Sequence, residues 1–537
     1  MTFKAGAWSG DANTLNISIA EGGGTLSQGS VTLDDAAWKD YTITISDGTP
    51  ETKIKFEAAQ ANDNRFFLDE VAVYSSDVQT VSAPTVSLND GFYTTDQEIT
   101  LTADDGCTIY YTLNGEDPTN ESTKYTEPIS ITTTTTLKAI AYDAEGNASF
   151  VVTKTYEFPI TCNNIAKVKE QKDGTTIKLN LNDAKVIYAI DAKNNEVFIK
   201  DASGAIELFN MNIDNLTTGK TVNGYIIATY TLYNNNLPEL VTNKYTSADN
   251  LVISEGEPVE PIVLQSTDNI ADYVCNLVTI SGTTTKKQEG EYLNTYIDDV
   301  QMFDKFGIGY TAPVENANVE VTGIVIPYKD QMEICPISAS DIAYTINEDK
   351  ENAAVDADNA NVALTRTLSS EYWNTFCVPF TMTAEQVAAT FGEGTKITKF
   401  DRTVDGTIMN FEESTTIDAG VPCLIKPAQT TTNPRISGVT LTAAEAKAVN
   451  SANGYAFCGT YSPKALATDG TDLFVTTEGK LNMPTAEGNT IKGMRAYITV
   501  PAGSDVKTIM LNIAGTLVGI DEIVTGNADN GKIYNLN

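Results

Sequence analysis

The side chains that could do chemistry in this 537-residue chain are mostly carboxylic acids, because the chain contains no histidine. Without an imidazole it lacks the usual proton carrier near neutral pH and the commonest metal ligand. A Ser-His-Asp or Cys-His mechanism therefore cannot be built within it. Carboxylate-only chemistry, as in glycoside hydrolysis, stays open, but acidic residues are so abundant that no pair stands out. We expect a protein that is not an enzyme.

The seven cysteines also argue against a catalytic or metal centre, since none forms a Cys-x-x-Cys pair. Zinc ribbons and thioredoxin-like sites use that spacing. The odd number opposes a complete set of internal disulfides. Several cysteines lie in apolar runs such as Phe376-Cys377-Val378, where a free thiol packs as a small hydrophobic group. No cofactor is expected, apart from a structural calcium ion as an alternative.

Aromatic rings beside amides or carboxylates are the second group with useful chemistry, because sugars stack on rings and hydrogen-bond at their edges. The predicted ligand-binding residues are Trp38, Tyr93, Tyr110, Tyr233 and Asn235. Trp8 is a further candidate. A core position in a strand is the alternative for Trp8, Trp38 and Trp373, since each lies in a strand-like run.

The net charge of −36, from 35 basic and 71 acidic residues, restricts the partners. Such a surface repels nucleic-acid phosphates and anionic membranes, so no nucleic acid is expected. The plain alternative is that the acids keep an extracellular protein in solution. No apolar run reaches the roughly 18 residues of a membrane helix, so no membrane-spanning segment is expected. The residues after Met1 lack the basic and apolar regions of a signal peptide, so none is expected in the given sequence.

Strands separated by polar turns must position these side chains, because Thr, Asn, Asp, Gly, Val, Ile and Tyr dominate the composition. Apolar residues alternate with polar ones at 15–19 and 41–45, which is the period of a strand with one buried face. The length favours three to five domains.

Residues 1–80 end in "RFFLDEVAVY", which resembles the closing half of jelly-roll modules in bacterial surface proteins. The opening half is absent, so we expect a partial jelly-roll without its opposite sheet, truncated before Met1. Such modules often hold a structural ion here, which makes Asp63, Asn64 and Asp69 the predicted metal ligands. Solvated loop acids are the alternative.

Residues 83–158 contain "CTIYYTLNGEDPTNESTKYTEPISI" and "TTLKAIAYDAEGNAS". They resemble the small immunoglobulin-like domain named for the C-terminal domain of chitobiase and β-hexosaminidase. In that family the domain is an appendage to the catalytic part. Ile109 and Tyr111 share one strand face, so Tyr110 is expected to face solvent. Asn114-Gly115 predicts a tight hairpin turn.

Residues 160–250, with "AKVIYAI…NEVFIKDASGAIELFN", resemble OB-fold domains of bacterial extracellular proteins. Residues 262–345 repeat the same order more loosely and predict a second OB-like domain. Such barrels often bind oligonucleotides, but the positive groove that this requires is lacking.

Residues 361–520 include "EYWNTFCVPFTMTAEQVAATFG", which resembles a β domain near the C-termini of large bacterial surface proteins. Thr383 with Gln386 and Thr442 with Glu445 have the capping-box spacing, which predicts two short helices.

The acidic segment 347–360 predicts a linker, and 521–537 is interpreted as a truncated tail. The predicted class is therefore all-β, with tandem β-sandwich and OB-like barrel domains and a few short helices in the C-terminal domain.

The leading hypothesis is a non-catalytic modular protein that is extracellular or on a bacterial cell surface, and that binds glycans or assists polysaccharide handling. One alternative is a structural stalk or adhesin that binds surface proteins. Another is the accessory region of a larger secreted hydrolase or nuclease whose catalytic part is missing. The oligomeric state stays open.

Overall fold

A computed structural model describes residues 1–74, 81–190, 196–234, 236–476, 481–484 and 489–519. They form two compact units, Met1–Phe158 and Pro159–Asn537. Strands dominate both units, which confirms the predicted all-β class. The described residues contain two α-helices, α1 (Ile165–Lys169) and α2 (Ala384–Phe391). Of the two, α2 lies in the C-terminal region, where short helices were predicted, and α1 lies in the second unit near residue 165.

The first 74 residues form a two-layer β-sandwich. Its strands are β1 (Thr2–Ala7), β2 (Thr14–Glu21), β3 (Thr25–Leu26), β4 (Ser30–Thr32), β5 (Lys39–Thr42), β6 (Ile45–Ser46), β7 (Lys53–Ala58) and β8 (Phe66–Ala72). One sheet has the order β5-β1-β8 and the other the order β4-β2-β7. The Phe3 ring of the first sheet contacts Phe56 of the second, with 5.1 Å between ring centroids. The prediction of a missing opposite sheet is therefore wrong.

Period-two alternation on β1 explains how the sandwich closes. Phe3, Ala5 and Ala7 are buried between the sheets, and the two small alanines let the layers approach closely. Lys4 and Gly6 therefore belong to the outer face of the β5-β1-β8 sheet.

The following domain is built on a five-stranded sheet of order β10-β17-β16-β13-β14. Its strands are β9 (Thr85–Val86), β10 (Gly91–Phe92), β11 (Gln97–Ile99), β12 (Leu101–Thr102), β13 (Thr108–Thr112), β14 (Thr123–Lys124), β15 (Ile129–Ile131), β16 (Thr135–Tyr142) and β17 (Val152–Glu157). Ile109 and Tyr111 pack into the core, as their spacing predicts. Gly115 has a φ of 80°, which fits the predicted tight turn.

Two barrels with the same strand order begin the second unit. The first contains β18 (Ile160–Cys162), β19 (Thr175–Ala189), β20 (Glu196–Lys200), β21 (Ala205–Phe209), β22 (Thr221–Tyr233), β23 (Leu237–Val241) and β24 (Val252–Ser254). The second contains β25 (Ile262–Val263), β26 (Leu277–Glu289), β27 (Tyr292–Ile297), β28 (Val300–Met302), β29 (Asn318–Tyr328), β30 (Gln331–Cys335) and β31 (Ile342–Asn347).

Each barrel closes through its two long strands. The first has the order β19-β20-β21-β23-β22 with β22 paired back to β19, and the second has β26-β27-β28-β30-β29 with β29 paired back to β26. In both barrels the third and fifth of these five strands along the chain are parallel, namely β21 with β23 and β28 with β30. The two barrels therefore share one topology.

The C-terminal region adds a six-stranded and a five-stranded sheet, which share one apolar core. The six-stranded sheet also contributes to a second core, with α2 and further strands of this region. Its strands up to Lys426 are β32 (Ala357–Thr365), β33 (Thr367–Leu368), β34 (Asn374–Phe376), β35 (Lys396–Asp405), β36 (Ile408–Ser414) and β37 (Cys423–Lys426). The remaining ones are β38 (Thr431–Thr432), β39 (Arg435–Leu441), β40 (Ala448–Asn450), β41 (Ala456–Thr460), β42 (Lys464–Ala465), β43 (Asp472–Val475), β44 (Leu481–Asn482), β45 (Thr490–Ile491), β46 (Arg495–Thr499), β47 (Met510–Ile513) and β48 (Thr516–Gly519).

Three local predictions are settled in this region. The capping box of Thr383 and Gln386 opens α2, as predicted. No helix begins at Thr442, because the segment after it is held extended by a bond from Lys447 N to the Gly420 carbonyl and leads into β40. The predicted linker 347–360 includes the start of β32, which pairs with β31 and β39.

Candidate functional site

Three aromatic side chains lie together on the outer face of the N-terminal sandwich. Trp8, Trp38 and Phe67 are 45%, 55% and 38% exposed. The Phe67 ring centroid is 5.1 Å from that of Trp8 and 5.8 Å from that of Trp38. We call these three residues the aromatic platform.

The β5-β1-β8 sheet positions the platform. Trp8 directly follows β1, Trp38 directly precedes β5, and Phe67 lies on β8 opposite Gly6 of β1. A Cβ atom at residue 6 would collide with the Ala37 carbonyl oxygen. Glycine at residue 6 therefore lets the chain leading to Trp38 pass close over β1.

An arginine fixes one of the three rings. The Arg65 guanidinium lies over Trp8, 4.9 Å from the ring centroid. Its Nε and Nη2 donate to the two carboxylate oxygens of Asp11, at 2.9 and 3.0 Å. These hydrogen bonds from Arg65 lower the pKa of Asp11 to about 2. Because two hydrogen bonds to one carboxylate fix the guanidinium, it orients Trp8 through a cation–π contact.

Polar groups adjoin the platform on the same sheet. Lys4 pairs in register with Asp40 on one side and Asp69 on the other, and both aspartates are exposed. The Lys4 ammonium donates to Glu70 at 2.9 Å, and this hydrogen bond raises the pKa of Lys4. Rings beside carboxylates and an ammonium are the combination that stacks on a sugar and hydrogen-bonds its hydroxyl groups.

Of the predicted ligand-binding residues, only Trp38 belongs to the platform. Tyr110 is half-buried on the face away from the core, edge-on to Tyr142 with 5.8 Å between ring centroids. Tyr93 packs against the core of the same domain, and its hydroxyl donates to the Asn89 carbonyl. Tyr233 is exposed at the end of β22 in the first barrel. Asn235 lies outside the described residues.

Phe67 is the platform residue that the sequence pattern did not assign, whereas Trp8 was considered as a further candidate. The alternation on β1 contains a signal for Trp8, because Phe3, Ala5 and Ala7 occupy the buried phase and Trp8 continues the outer one. The core position considered for Trp8 and Trp38 is wrong, since both rings are exposed.

The three predicted calcium ligands lie at different positions around the start of β8. Asn64 is buried, and its amide donates to the Ala12 carbonyl and accepts from Gln60 N. Asp69 lies three residues into β8, which at about 3.3 Å per residue puts it roughly 10 Å beyond the strand's start. Asp63 lies before that start. In the part of the chain that the structure describes, no three Cys, Asp or Glu residues gather as a metal site requires.

Among the described residues, no helix has the length and apolar character needed to cross a membrane. All seven cysteines are free thiols, as their sequence surroundings predict.

Comparison with known proteins identifies one module of the chain. Residues 88–153 match the family model described as "Chitobiase/beta-hexosaminidase C-terminal domain". The match lies within the domain built on β9 to β17 and confirms the resemblance seen in the sequence. None of the curated proteins compared with this chain matches it. The chain thus carries one module of a carbohydrate-related accessory type, directly after the sandwich that presents the aromatic platform.

Proposed function

We propose that this chain is a non-catalytic accessory protein that acts outside the cell and binds neutral polysaccharide through the aromatic platform. The observation that carries the proposal is the exposure of Trp8, Trp38 and Phe67 side by side on one sheet. Adjacent large rings in water cost free energy that a stacked sugar recovers by covering them.

The ring geometry favours a single polysaccharide chain over a crystalline surface. The planes of Trp8 and Trp38 are inclined to that of Phe67 by 31° and 45°. A flat crystalline face would contact only one of three such rings fully. A single chain can twist from one residue to the next and stack on each ring in turn.

Charge favours neutral sugars. The chain carries a net charge of −36, and Asp40 and Asp69 lie beside Lys4 on the platform's sheet. A uronic acid or sulfated sugar would meet this negative potential, whereas a neutral sugar uses the same carboxylates as hydrogen-bond acceptors.

Other features support the accessory role. The chitobiase-type module is an appendage in the family that it resembles, and the absence of histidine supports a role without catalysis. The 1-2-3-5-4 order of both barrels, with parallel third and fifth strands, supports the OB-like interpretation. Fold alone does not assign their function.

Affinity electrophoresis of the full chain tests the proposal. Gels would contain soluble β-glucan, galactomannan, amylopectin or, as the charged comparator, polygalacturonate. We expect retardation by at least one neutral polysaccharide and none by polygalacturonate. Trp8→Ala and Trp38→Ala should each weaken it about tenfold, which is about 1.4 kcal/mol of binding free energy.

Tyr292→Ala is the matched control, because Tyr292 is a 74% exposed aromatic residue on β27 of the other unit. Its retardation should equal that of the unsubstituted chain. Absence of retardation on every neutral polysaccharide, or equal loss in all three variants, would remove the platform as the binding site. Hydrolysis of any of these polysaccharides by the purified chain would contradict the non-catalytic role.

A further inference from the structure

The two barrels of the second unit pack against each other through a buried apolar layer. The residues of this layer are Ile187, Phe198, Ala205 and Leu237 from the first barrel and Cys275, Leu277, Ile324, Ile326 and Cys335 from the second. Phe306, which follows β28, contacts Tyr188 and Phe198 with centroid separations of 4.8 and 5.9 Å. The layer has the composition of a protein interior.

Four carboxyl groups lie in or beside this layer. They are Glu196, Glu207 and Glu239 of the first barrel and Glu333 of the second, and we call them the interface carboxyls. Glu207, Glu239 and Glu333 are 0%, 5% and 4% exposed. Glu207 and Glu239 are direct neighbours on the parallel strands β21 and β23.

Strand periodicity explains why Glu207 points into the interface. Its neighbours Ile206 and Leu208 fill the core of the first barrel. Side chains alternate along a strand, so Glu207 points to the outer face, together with Ala205 of the apolar layer. The packing of the second barrel over that face removes Glu207 from water.

Positive charge in the interface does not match the carboxyls in number. The Lys305 ammonium forms an ion pair with Glu196, 3.0 Å from Oε2. Burial by itself would lower the pKa of Lys305, but Glu207 and Glu196 raise it. Neither carboxyl oxygen of Glu207 has a hydrogen-bond partner among the described residues.

Burial therefore favours the protonated form of three carboxyl groups. It raises the pKa of Glu207 to about 8, against the attraction of Lys305. It raises the pKa of Glu239 and of Glu333 to about 7 each. An ionised carboxylate without a partner is very costly in such surroundings.

Other titratable groups also face this cluster. They are Lys169 of α1, Cys275, Cys335, Asp304, Tyr310 and, next to Lys169, Asp201. Burial lowers the pKa of Lys169 and raises that of both thiols and of Tyr310. These shifts favour the neutral forms of the lysine, the two thiols and the tyrosine.

We propose that the interface is a proton-dependent latch, in which the barrels stay packed while Glu207, Glu239 and Glu333 carry protons and separate when these groups ionise. Ionised carboxylates regain hydration only when the two faces part, and they also repel one another. The packed form thus binds more protons than the separated form, so rising pH favours separation. This proposal is independent of sugar binding.

The second barrel shows that a neutral group suits this position. Gln301 on β28 pairs with Glu333 on β30, as Glu207 pairs with Glu239 in the first barrel. Its amide oxygen accepts hydrogen bonds from Tyr296 and Gln331. Glutamine is therefore a suitable non-titrating replacement for Glu207.

Thiol labelling of the full chain tests the latch. Cys275 and Cys335 are buried in the interface, whereas Cys377 and Cys423 are equally buried in the C-terminal region. The thiols are labelled with iodoacetamide at pH 6 and pH 9, and the labelling rates are read by mass spectrometry. The ratio of each rate to those of Cys377 and Cys423 corrects for the rise in thiolate with pH. We expect the interface thiols to gain at least fivefold in rate relative to Cys377 and Cys423 at pH 9.

Two further measurements separate the latch from unfolding. Cys162, in the core of the first barrel, should stay protected at pH 9, since labelling there would mean that the barrel itself unfolds. The Glu207→Gln/Glu239→Gln/Glu333→Gln variant should lose the pH dependence, and Glu207→Gln alone should reduce it. Any of three results would overturn the proposal. The first is a ratio of interface to control labelling rates in the unsubstituted chain that is the same at both pH values. The others are labelling of Cys162 in parallel and full pH dependence in a folded Gln variant.

Discussion

The N-terminal sandwich and the pair of barrels use similar strands but place their chemically active side chains differently. The sandwich exposes Trp8 and Trp38 to water on its outer sheet face. The first barrel carries Glu207 at an equally outward strand position, but the second barrel covers it. One region thus exposes apolar groups and the other buries acidic ones.

This difference shows that the role of a residue on the outer face of a strand depends on whether water or another domain covers that face. An exposed ring can bind a ligand while the fold stays as it is, because its surroundings are already solvated. A buried carboxyl group cannot ionise without a change in packing. The platform therefore fits recognition, and the interface fits a response to pH.

The largest expected effect is a pH dependence confined to the barrels. Above the usual pKa of 4.5, the packed barrels hold protons that separated barrels release, up to about pH 7 on Glu239 and Glu333 and up to about pH 8 on Glu207. Each group should weaken the packing by at most about 1.4 kcal/mol per pH unit until its own pKa is passed.

Hydrogen exchange in β21 and β23, corrected for intrinsic rates, measures this effect. In the sandwich, the pKa of Asp11 is lowered to about 2. The stability that ionised Asp11 contributes is therefore fully present above the usual pKa of an aspartate and is lost only in strong acid. Protection of β1 and β8 should therefore stay constant from pH 5 to pH 8. The contrast between the regions fails if both sets of strands change alike.

The second effect compares two ion pairs. Lys305→Met removes the cation beside Glu196 in the buried interface and should cost about 3 kcal/mol of local stability at pH 8. Lys4→Met breaks the exposed pair with Glu70, whose side chains are 38% and 59% exposed, and should cost less than about 1 kcal/mol. Hydrogen exchange in β20 and in β1 gives the two values. Similar costs would show that the interface is as hydrated as the surface.

The third effect separates binding from packing. Trp38→Ala should lower the affinity for a neutral polysaccharide about tenfold and leave the exchange of β21 and β23 unchanged. Glu207→Gln should leave the affinity unchanged and alter the hydrogen exchange of β21 and β23, because the two residues belong to different units. Calorimetric titration of both variants checks this. Loss of sugar binding in Glu207→Gln would link the regions and break the comparison.

The smallest effect concerns the orientation of Trp8. Arg65→Lys keeps the charge but loses the two-point hydrogen bonding to Asp11 and the planar group over the ring. A cation–π contact at an exposed site is worth about 0.5–1 kcal/mol, so a two- to fivefold loss of affinity is expected in the same titration. Unchanged affinity would mean that Trp8 needs no such support.

Much of the local structure could be predicted from the sequence. Alternation placed Ile109 and Tyr111 in a core, and the Thr383–Gln386 spacing opened a helix. The same spacing at Thr442 did not, because a hydrogen bond from Lys447 N to the Gly420 carbonyl held the chain extended. A capping box only favours a helix, and tertiary contacts can outweigh so weak a preference.

The sequence by itself determined the all-β class, the chitobiase-type module and the lack of any imidazole chemistry, because composition, period and local motifs act over a few residues. Only the tertiary structure decided that Trp8, Trp38 and Phe67 meet, and that Glu207 is buried while Trp38 is not. A period of two separates the faces of a strand, but it carries no information about what covers the outer face. That depends on contacts between residues far apart in the chain.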